Sequence, residues 1–480
     1  MKQIVFILLL VFSLFAKAQP PKKFHCKYGG NGYDVGYDVK QTLDKGYIIT
    51  GSTSSFGQGN TDLYLLKLDS MGQVKFETSF GGYSNDIGQS VIQLSDSSYI
   101  MTGYTSSTGI GGYDIFLVKA DKNGTLVWQK TIGGSDWDFA HSMQQTSDGG
   151  FIIAGTTYSF GYGNADGYIV KTDANGNVTW SKTYGGKKDD EFKSVIETVD
   201  GKFALTGYSK SYSDSLGDTW LFKIETNGDS LRCNFFGGQR EDFGNDIIQD
   251  NLGNYYIAGA IDSLKPGYLD SYALKINSFG ILVWKWEDGY LNTNDSYNSV
   301  VLSGKNSGYT VYSQTETFTG YGIHIKLMEL NSLGYYNSAT EYGDILADEI
   351  LKITSTSDKG YIGVGYTNNY GAKLTDVYLL KLDTTLLGSI SIVSVNEIIK
   401  NNFEIEIYPN PASKDIIIKS SISFNADDLK LFDAIGNELL IKDKIIPLEK
   451  DNKIINVEEF SSGIYYLKLF NKTTRISIIH

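Results

Sequence analysis

Aspartate is the residue with metal-binding or acid–base chemistry that recurs most regularly in this sequence. One set follows a double glycine at intervals of 52 residues: Asp34, Asp86, Asp138, Asp190 and Asp242. A ring of such carboxylates could bind cations, or each could accept N–H bonds from the loop that enters the next strand. Because every copy of a repeat needs the same loop closed, we predict the structural role, with no metal site and no cofactor.

Groups suited to catalysis are scarce. The four histidines are His25, His141, His324 and His480, and the sequence has no Gly-x-Ser-x-Gly elbow, zinc-binding helix or phosphate-binding loop. Carboxylates are plentiful, so a pair of them could serve a glycosidase. We therefore favour a non-catalytic binding module, and the alternative is a hydrolase or lyase that acts on polysaccharide with acidic residues.

An internal repeat positions these residues. The motif aromatic-x-x-x-Gly ends at Gly51, Gly103, Gly155, Gly207 and Gly259, and it recurs at Ser313 and Gly365 after one 54-residue step. A second motif, Asp-x-x-x-x-Lys, keeps the same spacing: Asp62/Lys67, Asp114/Lys119, Asp166/Lys171, Asp218/Lys223, Asp270/Lys275 and Asp376/Lys381. Since residues five apart in a strand point to opposite faces, we expect the Asp to cap a loop and the Lys to reach the neighbouring blade or the rim.

Each copy is predicted to form four strands. In the third copy these are 140–146, Phe151–Thr157, 167–173 and Val178–Tyr184, with Asp-Gly and Asn-Gly turns between the first and last pairs. The middle strands are almost continuously apolar, which indicates burial on both faces. The predicted fold class is all-β: a seven-bladed β-propeller of four-stranded antiparallel blades, followed by a small β-sandwich. The expected domains are a signal peptide at 1–18, the propeller at 23–390, a linker at 391–402 and the sandwich at 403–480.

The seventh copy has no clear fourth strand. Residues 23–28 align, one period earlier, with a fourth strand at 75–80, so we predict that they complete the seventh blade and close the ring. Residues 389–395 are the alternative closing strand. The two cysteines, Cys26 and Cys233, fall in outer strands of distant blades, which predicts two separate free thiols.

The long loops between second and third strands are the predicted recognition surface. They vary between copies and share one rim with the loops that join blades. Their aromatic residues suit stacking on sugars or holding a peptide, or they could pack under their own loops. The candidate ligand-binding residues are Phe56, Phe160, Tyr162, Tyr212, Tyr268, Phe318, Tyr321 and Tyr370. The sixth copy departs from the pattern at Ser313, His324 and Glu329. This departure indicates either a specialised binding patch or sequence drift.

The sequence also predicts export. Lys2, the apolar run at 4–15 and Ala16-Lys17-Ala18 read as a secretory leader with a cleavage site. The net charge of −13 argues against nucleic-acid binding, and we expect no membrane span, because the one long apolar run is short for a span. We expect a protein exported through the periplasm to the cell surface or the medium.

The C-terminal domain resembles the type A sorting domain of the bacterial type IX secretion system. The matching positions are Tyr408-Pro409-Asn410-Pro411 at its start, Gly436 in the middle, and Gly463 and Tyr465 in a late strand. The resemblance implies recognition by the type IX translocon, which would be the partner of this domain. The repeat region resembles a broad class of secreted bacterial propellers, which implies the fold and leaves open a carbohydrate or a protein as ligand.

Overall fold

The computed structural model describes residues 23–213, 216–262, 268–289, 294–303, 310–318, 322–342, 347–368, 372–383, 405–420, 429–433, 438–439, 441, 444–449, 452–469 and 472–479. The chain divides into two compact units after residue 395. The predicted leader, the linker and the alternative closing strand 389–395 lie outside the described residues. Within the described part of the chain, no helix has the length and apolar character needed to cross a membrane.

The first unit contains seven four-stranded antiparallel sheets among its described residues. We name the strands of each blade a to d in chain order. Blades 1 to 3 are β2 to β5 (Asp34–Gln41, Tyr47–Thr53, Asp62–Leu68, Val74–Phe80), β6 to β9 (Asp86–Gln93, Tyr99–Thr105, Asp114–Ala120, Leu126–Ile132) and β10 to β13 (Asp138–Gln145, Phe151–Thr157, Asp166–Thr172, Val178–Tyr184). Blades 4 to 6 are β14 to β17 (Asp190–Glu197, Phe203–Ser209, Asp218–Ile224, Ser230–Phe236), β18 to β21 (Asp242–Gln249, Tyr255–Ile261, Asp270–Ile276, Leu282–Asp288) and β22 to β25 (Ser296–Leu302, Thr310–Phe318, Gly322–Leu330, Tyr336–Tyr342).

Blade 7 joins the two ends of the propeller. Its strands a to c are β26 to β28 (Asp348–Ser355, Tyr361–Thr367, Asp376–Leu382), and its strand d is β1 (Phe24–Tyr28), which pairs antiparallel with β28. The predicted closure by residues 23–28 is therefore confirmed. Strands a of neighbouring blades contact one another around the whole circle, so the seven sheets form a closed propeller around a central channel.

The strand pattern confirms the predicted fold class. In the third blade, strands b and d have the predicted bounds, whereas strands a and c begin earlier, at Asp138 and Asp166. The register corrects one repeat position: Tyr297 of blade 6 pairs with Gln314, as Gly36 pairs with Gly51. The residue that replaces the motif glycine is thus Gln314, and the prediction of Ser313 was wrong because the irregular copy has different loop lengths.

A carboxylate closes each of the loops that lead into blades 1 to 5, as the first aspartate set predicts. Asp86 Oδ2 accepts the Gly82 N–H at 2.8 Å and the Ser107 hydroxyl at 2.6 Å, and its other oxygen accepts the Thr105 hydroxyl. The first glycine of the pair gives the carboxylates room: a Cβ on Gly81 would lie 2.2 Å from Asp86 Oδ2 and 2.6 Å from Asp62 Oδ1. Only a residue without a side chain fits between two aspartates.

The Asp-x-x-x-x-Lys motif closes a loop at each end of strand c. Asp62 Oδ2 accepts the backbone N–H groups of Gln58 and Gly59 at 3.0 Å, so it caps the b–c loop as predicted. Lys67 Nζ lies 2.9 Å from Asp44 Oδ2 in the a–b turn of its own blade, at the opposite rim. Of the two expected positions for this lysine, the rim is therefore the one observed, because strand b alone separates Lys67 from that turn. The same ion pair joins Lys119–Asp96, Lys171–Asp148, Lys223–Asp200 and Lys381–Asp358.

The second unit is a two-sheet β-sandwich, in agreement with the predicted fold class. One sheet has the order β29–β30–β34–β33 and the other β32–β31–β35–β36. The bounds are β29 Ile405–Tyr408, β30 Asp415–Ser420, β31 Leu429–Phe432, β32 Glu438–Leu439, β33 Ile445–Glu449, β34 Asn452–Asn456, β35 Gly463–Leu469 and β36 Lys472–Ile478. Both sheets contribute to one apolar core that includes Ile416, Ile455, Leu431 and Leu467.

Asp242 differs from the other loop-closing aspartates in a way that predicts a pH effect. Ile261 occupies the position of Thr105, so Asp242 Oδ1 is buried with no hydrogen-bond partner among the described residues. Burial and the nearby Asp218 raise the pKa of Asp242 to about 7. Because the folded-state pKa lies above the unfolded value, the stability that this group contributes is complete below about pH 4 and is lost as the pH rises through about 7.

We expect Asp242→Asn to stabilise the protein at pH 8 by about 1–2 kcal/mol and to change it little at pH 4, after allowance for solvent screening. The matched control is Asp190→Asn. Asp190 accepts a Gly186 N–H at 2.8 Å and the Ser209 hydroxyl, so this variant is expected to destabilise at pH 8 by about 1 kcal/mol. Denaturant unfolding at both pH values measures the difference, and equal losses from the two variants would contradict this interpretation.

Candidate binding site at the channel mouth

A β-bulge in every strand a presents one unpaired residue to the channel. In β10, for example, the register shifts between Ala140 and Ser142, which leaves His141 without a partner in the ladder. A bulge redirects a side chain and is common beside functional sites. The seven bulge residues all line a channel of about 800 Å³ and are Tyr37, Gln89, His141, Lys193, Asn245, Asn298 and Leu351. The fold repeats this position, but its chemistry differs from blade to blade.

The next residue of each strand a belongs to a polar belt that links the blades. Lys352 Nζ lies 2.7 Å from Asp246 Oδ2, which joins blade 7 to blade 5, and the Ser299 hydroxyl donates to the same oxygen at 2.7 Å. Ser90 of blade 2 donates to Asp38 Oδ2 of blade 1 at 3.1 Å. Burial would lower the pKa of Lys352, but Asp246 and Asp38 hold it raised, so the ammonium stays charged. We interpret this belt as a structural feature that links the blades across the channel.

His141, Glu191 and Lys193 form a charged cluster above the belt. His141 Nε2 lies 3.0 Å from Glu191 Oε1, and Lys193 Nζ forms an ion pair with the same oxygen. Burial acts to raise the pKa of Glu191, yet Lys193 and His141 bring it down to about 2. Burial, and then Lys193, lower the pKa of His141. Near neutral pH, Glu191 is therefore a carboxylate engaged by two neighbours and holds no proton to donate.

Aromatic rings form one side of the channel mouth, on the rim that carries the long loops. Phe139 is the centre of this cluster, with Tyr104, Tyr113 and Tyr158 at centroid distances of 4.9, 5.5 and 6.4 Å. Trp137 lies 6.3 Å from Phe139 and 5.9 Å from Tyr158, and it remains 48% exposed. The cluster extends into the channel, because the Phe139 ring stacks on His141 at 6.4 Å.

Charged groups of blades 4 and 5 lie next to the aromatic cluster of blades 2 and 3. Lys210 Nζ lies 3.8 Å from Asp189 Oδ2 and 3.5 Å from Glu241 Oε1, and it also lies over the Tyr208 ring at 5.8 Å. The mouth therefore combines an exposed aromatic surface with carboxylates and an ammonium group. Such a surface can bind a ligand that has both an apolar face and hydrogen-bonding groups.

The aromatic residues proposed from the sequence lie elsewhere on the same rim. Phe56 stacks on Tyr64 at 5.9 Å and Phe160 lies 5.7 Å from Tyr168, so both pack on strand c of their own blade. The Tyr212 hydroxyl donates to the Gly185 carbonyl at 2.6 Å. The remaining candidates differ in what is described: Tyr162 is 88% exposed, Tyr268 is partly buried, only the backbone of Phe318 is described, and Tyr321 and Tyr370 lie outside the described residues.

The aromatic cluster lies outside the b–c loops that the sequence predicts as the recognition surface. Trp137 is in the loop between blades, and Phe139 begins strand a. A usable signal was present: the position of Trp137 varies from copy to copy, with Tyr33, Asn85, Asp189 and Glu241 in four of the others, so the repeat does not fix it. Positions that vary within a repeat are not fixed by the fold and are available for recognition.

The cysteines and the acidic turn residues are the other groups suited to redox or metal chemistry. Cys26 is buried and Cys233 is exposed, and they form no disulfide, as the sequence predicts. Asp121 Oδ1 accepts the N–H groups of Asn123 and Thr125 at 2.8 Å, a hairpin-turn geometry. Among the described residues, no group of three or more histidine, cysteine or acidic side chains is arranged to hold a metal ion.

The sorting positions of the C-terminal domain meet at its last strand. Asn410 Oδ1 accepts the Ser477 N–H at 2.8 Å, and the adjoining Ala412 exchanges backbone bonds with Ser477 and Ile479. The Tyr465 hydroxyl donates to the Ser461 carbonyl at 2.8 Å. Tyr408 is about half exposed, and Gly463 begins the strand that pairs with β36. Gly436 lies outside the described residues.

Residues 406–479 match the family described as the secretion system C-terminal sorting domain. The chain therefore carries a type IX sorting domain, which directs export to the cell surface or the medium. A relative, the regulatory protein FlaEY of Caulobacter vibrioides, is 25% identical over 317 residues, which are 58% of this chain and 29% of that protein. The chain thus spans less than a third of the relative's length.

Several solved structures are similar at low identity. The WD40 domain of Neurospora crassa Pan2 is 10% identical, with a TM-score of 0.45 over 73% of this chain and 89% of that one. Sqt1 from Chaetomium thermophilum is 10% identical, with a TM-score of 0.43 over 84% and 97%. A fungal alcohol oxidase of the AA5 family, in complex with copper, is 11% identical, with a TM-score of 0.48 over 95% and 98%.

Proposed function

We propose that this protein is an exported, non-catalytic binding module that holds a carbohydrate chain at the long-loop mouth of its propeller. The observation that supports this proposal most directly is the aromatic cluster around Phe139, in which Trp137 remains about half exposed beside a polar channel. Sugar rings present apolar C–H faces that pack on aromatic rings, and their hydroxyl groups bond to carboxylates and amides. The bulge residues Gln89, Asn245 and Asn298 place amides in the same channel.

Binding is favoured over polysaccharide cleavage by the state of Glu191. Glycoside hydrolysis needs one carboxylic acid that donates a proton and a second carboxylate. Glu191 is ionised and bonded to both His141 and Lys193. Asp62, Asp138 and Asp242 have raised pKa values, but each already accepts hydrogen bonds that close a loop. A peptide ligand would use the same aromatic surface and is an outcome of the test.

Substitution of Trp137 tests the proposal directly. Trp137→Ala removes the exposed aromatic face, so we expect at least a tenfold loss of affinity for the oligosaccharides that the wild-type protein binds on a carbohydrate array. Phe279→Ala is the matched control, since Phe279 is 73% exposed in a c–d turn on the opposite rim, and it should retain wild-type affinity. A wild-type protein that binds peptides and no oligosaccharide, or equal losses from both variants, would overturn the proposal.

The proposed route of export starts with the leader at 1–18 and continues through the type IX translocon. Removal of residues 403–480 should therefore stop the protein in the periplasm, while the full-length protein reaches the surface or the medium. Mass spectrometry of periplasmic, surface and culture-medium fractions measures this distribution. Substitution of the exposed Ile446 by Ser is a control that leaves the sorting positions intact. Equal secretion of the truncated and full-length proteins would contradict the route.

A further inference from the structure

Six of the seven blade interfaces use the same apolar pair at their outer edge. One member of each pair is the last residue of strand d. The other is an aromatic residue in strand c of the next blade, at the position that pairs with the motif glycine. The pairs are Tyr28/Tyr64, Phe80/Phe116, Ile132/Tyr168, Tyr184/Trp220, Phe236/Tyr272 and Tyr342/Tyr378. Between blades 5 and 6, the two positions hold Asp288 and Lys326.

The two departures are complementary. Lys326 Nζ lies 2.8 Å from Asp288 Oδ2, and Lys326 is only 9% exposed. Independent drift at two positions 38 residues apart would not be expected to place opposite charges within hydrogen-bonding distance. Burial removes water from both charges of the ion pair, which costs free energy that the burial of an aromatic pair does not cost. The interface between blades 5 and 6 therefore lacks the apolar stabilisation of the other six.

The departure is confined to the outer half of the interface. In the inner half, Tyr297 and Tyr312 pack with ring centroids 5.2 Å apart, and the Tyr297 hydroxyl donates to Met328 Sδ at 3.3 Å. Both tyrosines are fully buried. Blade 6 is therefore tightly packed near the channel, and general loosening of an irregular copy does not explain its outer edge.

A cavity of about 550 Å³ occupies the position where the other interfaces are filled. Its lining includes Trp286, Asp288, Lys326, Met328, Tyr336 and Glu341. The Trp286 and Tyr336 rings stack at 6.5 Å with an angle of 22° between their planes. Trp286 Nε1 is buried and has no acceptor among the described residues. A buried N–H donor without a partner is costly, so a ligand that supplied an acceptor here would stabilise the interface.

We propose that this cavity is a second binding site, separate from the channel mouth, and that it holds one neutral sugar ring. Trp286 and Tyr336 supply the stacking surface, and Trp286 Nε1–H and Lys326 donate to sugar oxygens. The carboxylates of Asp288 and Glu341 accept bonds from sugar hydroxyl groups. The volume is within the range of small-molecule sites. The residues by which the fifth and sixth copies depart from the repeat therefore form this site. The proposal rests on the side chains of this interface and not on the proposed role of Trp137.

The test refills the cavity with the residues that the other blades use. In the full-length protein, the double variant Asp288→Tyr/Lys326→Tyr restores the Tyr28/Tyr64 type of pair. We expect its Tm to equal or exceed that of the wild type, and its binding of monosaccharides to fall at least tenfold in saturation-transfer NMR. The probes are glucose, galactose, mannose and N-acetylglucosamine. Gains in stability at the expense of binding are typical of functional sites.

Two further variants separate this site from its alternatives. Trp286→Phe keeps an aromatic ring but removes the N–H donor, so monosaccharide binding should weaken several-fold with little change in Tm. Trp137→Ala should leave monosaccharide binding in the cavity unchanged, which distinguishes this site from the channel mouth. The proposal is overturned if the refilled double variant binds as well as the wild type, or if none of the four sugars binds the wild-type protein at millimolar concentration.

Discussion

Adjacent blades are joined where a carboxylate bonds both to the loop between the blades and to hydroxyl groups at the end of strand b. Asp86 shows the arrangement: it bonds to Gly82 in the loop that leaves blade 1 and to Thr105 and Ser107 after strand b of blade 2. Gly81 has no side chain and so lets Asp62 of the preceding blade approach the same point. Because a carboxylate closes the loops that lead into blades 1 to 5, strand a begins at the same height in these blades. The height at which the remaining residues of strand a face the channel depends on this junction.

The bulge in strand a turns this regular scaffold into a variable surface. A bulge leaves one residue out of the ladder and bends the strand, so His141 and its equivalents face the channel whatever their chemistry. The ladder bonds on both sides hold the blade together and leave this side chain free to vary. The outer edge of blade 6 also varies without a change in strand pairing, because Lys326 replaces an aromatic residue there and the ladder continues. Recognition can therefore change at single positions without loss of the fold.

The fold could be predicted from the sequence because its determinants are local and repeated. Strand bounds such as Phe151–Thr157 follow from turns and apolar runs within a few residues, and seven copies reinforce each assignment. The closing strand β1 was recognisable because residues 23–28 match a fourth strand one period later. The domain boundaries and the leader stay predictions, because they lie largely outside the described residues.

The candidate site was harder to predict because it depends on cross-strand register. The spacing of Lys67 indicates its face of the sheet but not that the turn with Asp44 lies within reach. Likewise, no local pattern marks His141 as the unpaired residue of a bulge. The pairing of Asp288 with Lys326 joins residues 38 positions apart in different blades. The better guide in the sequence was departure from the repeat, which Trp137 and Lys326 both show.

The central claim is that the repeated positions are scaffold and that the residues which break the repeat bind the ligand. The most direct measurement is a crystal structure of the protein with an oligosaccharide selected on the array. We expect electron density for sugar against Trp137 at the channel mouth, within reach of the bulge residues. Density only on the opposite rim, against the a–b turns that carry Asp44 and its equivalents, would contradict it.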